Sequence, residues 1–111
     1  MNDHRQSPRA PLDVYLNKFI KGVPFMVRAR DISTEGIYLT QLIEPESGDD
    51  RVGIQFSLPG SKEVIYAEGR IVRESDDGRG AGHGIRFTLL TDHHRRLIER
   101  YVKQHEPGSL A

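Results

Sequence analysis

From Leu12 to Leu89 the chain is a succession of short runs in which apolar residues recur at every second position, each run closed by glycine, proline or acidic residues. No other feature restricts the fold as much. A period of two sends alternate side chains to opposite faces, so each run forms a strand with one face buried and one in water. Leu12, Val14 and Leu16 alternate with Asp13, Tyr15 and Asn17 in the first run. Turn punctuation follows at Gly22 and Pro24, within residues 20–24. A second run, Phe25 to Ile32, places Phe25, Val27 and Ala29 on one face. Residues 36–42 (GIYLTQL) give a third, and 44–50 are a polar loop. Val52–Leu58 and Glu63–Arg73 come next, divided by Pro59-Gly60-Ser61. The glycine-rich, acidic stretch 74–82 reads as a flexible hairpin around Asp77-Gly78, and His83–Leu89 as the last strand. Six short strands with turn signals between them predict an all-β fold, a six-stranded antiparallel barrel.

The two ends differ from the middle. Residues 1–11 carry no periodic pattern and contain Pro8 and Pro11, so they read as a mobile arm. At the other end Thr91 is placed to cap a helix, with Asp92 in its first turn. Leu97, Ile98, Tyr101 and Val102 then recur at helical spacing, and Arg96, Glu99, Arg100 and Lys103 take the opposite side. Pro107 and Gly108 stop the pattern. The expected organisation is an arm over 1–11, a barrel domain over 12–105 whose C-terminal α-helix spans about 91–105, and a tail over 106–111.

A chain of 111 residues suits one domain. Cysteine is absent, which excludes disulfides and thiolate metal sites and leaves packing alone to hold the fold. No apolar run is long enough to cross a membrane, and the first residues lack the apolar core of a secretion signal. A cytoplasmic protein with no membrane insertion is the expectation. Sixteen basic and sixteen acidic residues cancel, which argues against direct binding of a nucleic-acid polymer. Residues 1–30 nevertheless hold Arg5, Arg9, Lys18, Lys21, Arg28 and Arg30 against only Asp3 and Asp13. A small anion matches that local surplus better than a long polyanion.

Two patterns carry chemistry. Arg5-x-x-x-Arg9 (RQSPR) lies in the arm, and Asp31-x-Ser33-x-x-Gly36 (DISTEG) spans the end of the second strand and the entry to the third. Alone, the first is a solvated charge pair and the second a turn. One strand, a turn and another strand separate them, so the chain can return to the same end of the barrel and bring all five residues together. Their residue types meet the needs of a guanine nucleotide. Guanidinium forks suit phosphates and the guanine O6/N7 edge. The Asp31 carboxylate accepts from guanine N1–H and N2–H₂, the Ser33 hydroxyl serves base or phosphate, and Gly36 permits a close approach that a Cβ would block.

In this order and with strand patterns between them, the two motifs resemble the signature of the PilZ family of cyclic di-GMP receptors, an RxxxR arm followed by [DN]xSxxG. The likeness covers about residues 4–103 and includes the Gly84-to-Phe87 run (GIRF) in the last strand. The resemblance implies that Arg5 and Arg9 clamp phosphates and guanine edges while Asp31, Ser33 and Gly36 form the opposite wall. Many members carry an aromatic residue late in the fifth strand; here Arg73 stands there, and an arginine plane also stacks on a base. Arg86 is a weaker candidate of the same kind. The expected function is a cyclic di-GMP receptor and adaptor that changes conformation on binding and signals through a downstream protein. The alternative is a PilZ-like protein-interaction module that binds no nucleotide.

Other signals point nowhere. His93 and His94 are adjacent, about 100° apart on a helix, and chelate poorly. Asp49-Asp50 and Asp76-Asp77 sit beside glycine in turn-like sequence. Gly78, Gly80, Gly82 and Gly84 lack the Lys-Ser/Thr and helix start of a phosphate loop. No nucleophile is paired with a base, so neither an enzyme nor a cofactor nor a metal is expected.

Overall fold

The computed structural model describes residues 8–40, 50–76 and 81–105. Six strands precede one helix: β1 (Ala10–Ile20), β2 (Val23–Ile32), β3 (Gly36–Thr40), β4 (Arg51–Phe56), β5 (Ile65–Asp76), β6 (Ala81–Leu89) and α1 (Asp92–His105). They close into an antiparallel barrel in the order β1-β2-β3-β6-β5-β4, the last strand pairing back to β1. The fold is the one the strand patterns predict, a mostly-strand barrel with a C-terminal helix.

Periodicity sets the core. Leu12, Leu16, Val27, Ala29, Ile37, Leu39, Ile54, Ile65, Ala67 and Ile85 all face inward and are buried. Thr91 caps α1 as expected: its Oγ1 accepts from the His94 amide at 3.1 Å and its carbonyl from the Arg95 amide at 2.9 Å. Ile98, Tyr101 and Val102 are buried against the barrel. The Tyr101 hydroxyl donates to the Pro11 carbonyl at 2.8 Å, fixing the helix to the start of β1.

Several boundaries move, each for a local reason. β1 starts at Ala10 rather than Leu12, because Ala10 and Pro11 already pair with Ile32 and Asp31. The first turn is only Lys21-Gly22, with φ of 52° and 82°, the left-handed pair that a two-residue hairpin requires. Pro24 therefore lies inside β2, at a position paired only with Phe19 of β1, where its missing amide costs little. At Pro59-Gly60-Ser61 the Ser61 amide donates to Leu58 and its Oγ then accepts from the Glu63 amide, so β5 begins at Ile65, two residues later than expected. Beyond it, β5 runs to Asp76 and β6 begins at Ala81, so Gly82 is a strand residue and not part of a flexible hairpin. A Cβ on Gly82 would strike the Tyr38 hydroxyl, which is why that strand carries glycine there.

Candidate functional site

The site grows from an irregularity in β2. Ala29 pairs with Leu39 and Asp31 with Tyr38, so Arg30 is an extra residue opposite β3. Such a bulge breaks the period of two. Ala29 and Ile32 both face the core at 0% exposure, and Arg30 and Asp31 both turn outward, side by side.

Arg9, just ahead of β1, reaches this point. Its Nε donates to Asp31 Oδ1 at 2.7 Å and its Nη2 lies 2.6 Å from the same oxygen. Oδ2 faces Arg30 Nε at 3.8 Å, beyond hydrogen-bond range. The Arg9 Nη1 also stands 3.5 Å from Ser33 Oγ. The two sequence motifs, 22 residues apart, thus meet at one carboxylate.

Ser33 and Gly36 lie behind that contact. Ser33 is 1% exposed, and its Oγ accepts from the Glu35 and Gly36 amides at 3.1 and 3.2 Å. Its own amide donates to Gly36 O at 2.9 Å, which closes the turn. Gly36 is needed because a Cβ there would run into the Ile85 carbonyl of β6. The close approach allowed by Gly36 is therefore strand against strand. Arg5 lies outside the described residues.

Arg73 falls on an informative register position. Asp31 pairs with Tyr38, Tyr38 with Gly84, and Gly84 with Arg73, a single row across β2, β3, β6 and β5. Its side chain is outside the described residues. Arg86 is exposed on the outer face of β6, one row away and opposite Gly36.

The PilZ domain pattern matches residues 3–104. The chain belongs to the PilZ domain family. No curated protein matches it by sequence. Among solved structures, the PilZ barrel is similar to the inhibitor of motility MotI/DgrA of Bacillus subtilis (TM-score 0.80, 13% identity), covering 93% of this chain and 51% of that one. It is similar to the PlzA protein of Borreliella burgdorferi in complex with c-di-GMP (TM-score 0.64, 17% identity), covering 88% of this chain and 40% of that one. It is also similar to the PilZ domain of YcgR from Escherichia coli with c-di-GMP (TM-score 0.65, 15% identity), covering 93% and 92%. The chain thus spans about half the length of the first and two fifths of the second. At these identities the likeness is one of fold.

Two residues outside the motifs stand beside the Arg9–Asp31 contact. The Arg30 guanidinium lies over the Tyr38 ring, 4.5 Å from its centroid. Tyr38 itself is only 4% exposed, pressed onto the strand backbone at Gly82. One cation is therefore placed over an aromatic ring on the outer face, directly beside Asp31. The signal for it was present in the spacing of Val27, Ala29 and Ile32, since a step of three in a period of two marks a bulge and hence two consecutive outward residues. A groove of about 600 Å³ continues from Arg30 along β1 and β2, lined by Pro11, Asp13, Arg28 and Thr40. On its rim Arg28 Nε donates to Asp13 at 2.7 Å, and that bond, with the nearby positive charge, holds the Asp13 carboxyl below the usual carboxylate range. Among the described residues no histidines and carboxylates gather in a metal-binding group, and no helix is long and apolar enough to cross a membrane.

Proposed function

We propose that the protein is a cyclic di-GMP receptor without catalytic activity. The observation that carries this reading is the contact of Arg9 with Asp31, which brings the arm motif onto the strand motif beside the Arg30–Tyr38 plane. Both Arg9 contacts fall on Oδ1, so Oδ2 can accept from the N1–H or N2–H₂ of a guanine while Arg9 stays in place. The exposed Arg30 guanidinium over Tyr38 offers a cation on which that base can stack. Arg5, Arg9 and Arg73 then supply the guanidinium groups for phosphates and for the O6/N7 edge. Ser33 and Gly36 act one step back: they shape the turn that aims Asp31, and the Ser33 hydroxyl hydrogen is its remaining donor. Binding changes the conformation of the protein, and the altered surface is read by a downstream protein. One inhibitor of motility and two proteins solved with c-di-GMP among the structures of like fold agree with this reading.

The second reading, a PilZ barrel that binds proteins and no nucleotide, is favoured by one observation. Arg9 already occupies Asp31 Oδ1, and Ser33 Oγ already accepts from two amides. Calorimetric titration with cyclic di-GMP decides, with GTP and cyclic di-AMP as controls. The receptor reading expects saturable heat for cyclic di-GMP alone, lost in Arg9→Ala and weakened in Arg30→Ala. Absence of heat together with absence of thermal stabilisation at high ligand concentration leaves the interaction module.

A further inference from the structure

One row of the outer face away from Asp31, Tyr38, Gly84 and Arg73, a second row crosses the barrel. Gly36 pairs with Arg86, Arg86 with Arg70, and Arg70 with Arg51. Directly paired residues on antiparallel strands point to the same face, so three arginines of β6, β5 and β4 stand in line, all exposed. Adjacent strands are about 4.8 Å apart, and the line is therefore roughly 10 Å long. Like charges placed directly opposite destabilise a sheet, and an anion lying across the row offsets that cost. Arg70 Nη2 donates to Asp50 at 3.2 Å, and Arg51 has a contact of its own.

The next row is apolar in part. Phe19 pairs with Gly53, Gly53 with Glu68, and Glu68 with Leu89. A Cβ on Gly53 would lie 2.9 Å from the Tyr66 hydroxyl, so the Tyr66 side chain leans over this glycine. That hydroxyl also donates to Glu68 at 2.9 Å, which draws the carboxylate towards Tyr66. The result is an open groove of about 650 Å³ lined by Phe19, Lys21, Arg51, Gly53, Tyr66 and Arg70. Of the seven large hydrophobic side chains exposed among the described residues, Val64, Tyr66, Val72 and Leu89 stand on or next to β5 and β6. Arginine and tyrosine beside exposed aliphatic residues are the composition of a protein interface.

We propose that this groove docks an acidic, extended segment of a partner protein. Carboxylates of the segment lie across Arg51, Arg70 and Arg86, whose planar forks match them, and an aromatic or aliphatic side chain packs on Phe19 and Tyr66. A nucleic-acid strand fits less well: the row offers three arginines over roughly 10 Å, a short positive stripe for a long polyanion, and the chain as a whole has no net charge. The docking row and the Asp31 row use different side chains, so the proposal does not depend on nucleotide binding.

The test uses fluorescence anisotropy without nucleotide. Its probes are a fluorescein-labelled peptide of glutamates interspersed with tyrosine, its glutamine counterpart, a labelled oligothymidylate, and vesicles of phosphatidylglycerol. The glutamate peptide binds saturably and the glutamine peptide does not. Replacing Arg51, Arg70 and Arg86 together by glutamine weakens the glutamate peptide by about tenfold or more. Tyr66→Ala weakens it at both low and high salt, whereas the charge term fades with salt. Replacing Lys62, Arg96 and Arg100 by glutamine removes the same charge elsewhere and leaves binding unchanged. If circular dichroism shows that the triple arginine variant has lost its fold, Arg86→Gln alone serves, with a proportionate loss. Failure of the glutamate peptide to bind, or equal binding by the arginine variant, overturns the proposal. Tighter binding of the oligothymidylate or the vesicles also overturns it and reassigns the row.

Discussion

Ser33 is 1% exposed, and its Oγ is the acceptor for the amides of Glu35 and Gly36. Removing it leaves buried donors without a partner, a loss of about 1–3 kcal/mol. Ser33→Ala should therefore lower the urea midpoint as well as ligand affinity. A variant that keeps the wild-type midpoint and loses only binding would show that the hydroxyl serves the nucleotide directly. Gly36→Ala is the harsher change, because the added Cβ meets the Ile85 carbonyl, a backbone atom with no rotamer to escape into. Its expected cost is about 3 kcal/mol, at the upper end for overpacking. Arg9 contrasts with both. It and Asp31 are partly exposed, and such pairs contribute about 1 kcal/mol or less, so Arg9→Ala tests binding with little effect on the fold.

At the scale of elements, each strand announced itself through its own alternation, and α1 through the stripe of Leu97, Ile98, Tyr101 and Val102. Strand neighbours did not. That β3 pairs with β6, and that β4 closes on β1, is decided by twist and by packing of residues far apart in the chain, which no local period encodes. The contact of Arg30 with Tyr38 was hidden for the same reason, since it depends on the β2–β3 register, although the bulge that turns Arg30 outward shows in the spacing. The motifs named Arg9, Asp31, Ser33 and Gly36, but not that Ser33 and Gly36 face the protein. Tyr101 supplies the prediction at this scale. Burial pushes its phenol above the ordinary value of 10.0, so the folded state holds the proton more tightly than the unfolded chain. Its contribution is complete below that ordinary value and is lost as pH rises through the higher folded value. Tyr101→Phe should cost about 1 kcal/mol near neutral pH, from the lost bond to Pro11. It should also flatten part of the alkaline loss; Tyr66, whose hydroxyl is raised by its bond to Glu68, contributes in the same direction. Thermal unfolding of both proteins at about pH 7 and about pH 11 checks this. Parallel decline of the two would remove Tyr101 from the account.

The barrel as a whole is closed by its shortest seam. Among the described residues β1 meets β4 only at Asn17–Gln55, Lys18–Ile54 and Phe19–Gly53, whereas β1 and β2 pair from Ala10–Ile32 down to Ile20–Val23. Lys18 sits in the middle of that seam, inside the barrel and 0% exposed. Its Nζ lies 3.1 Å from His83 Nδ1 on β6, across the interior. Lys18 and His83 each have a further interaction besides this one. The four-carbon stem of Lys18 fills core volume as well, so Lys18→Ala removes packing and leaves polar partners in low dielectric. The expected cost is about 3 kcal/mol or more. Because the short seam has few other bonds, the loss should concentrate there. Amide exchange should quicken first in β4 and in the β1 residues facing it, ahead of the long β1–β2 ladder. Lys18→Met, which keeps the volume, should recover the packing share and separate it from the polar share. Uniform acceleration of exchange across all strands in Lys18→Ala would mean that the seam is no weaker than the rest, and that the barrel opens only as a unit.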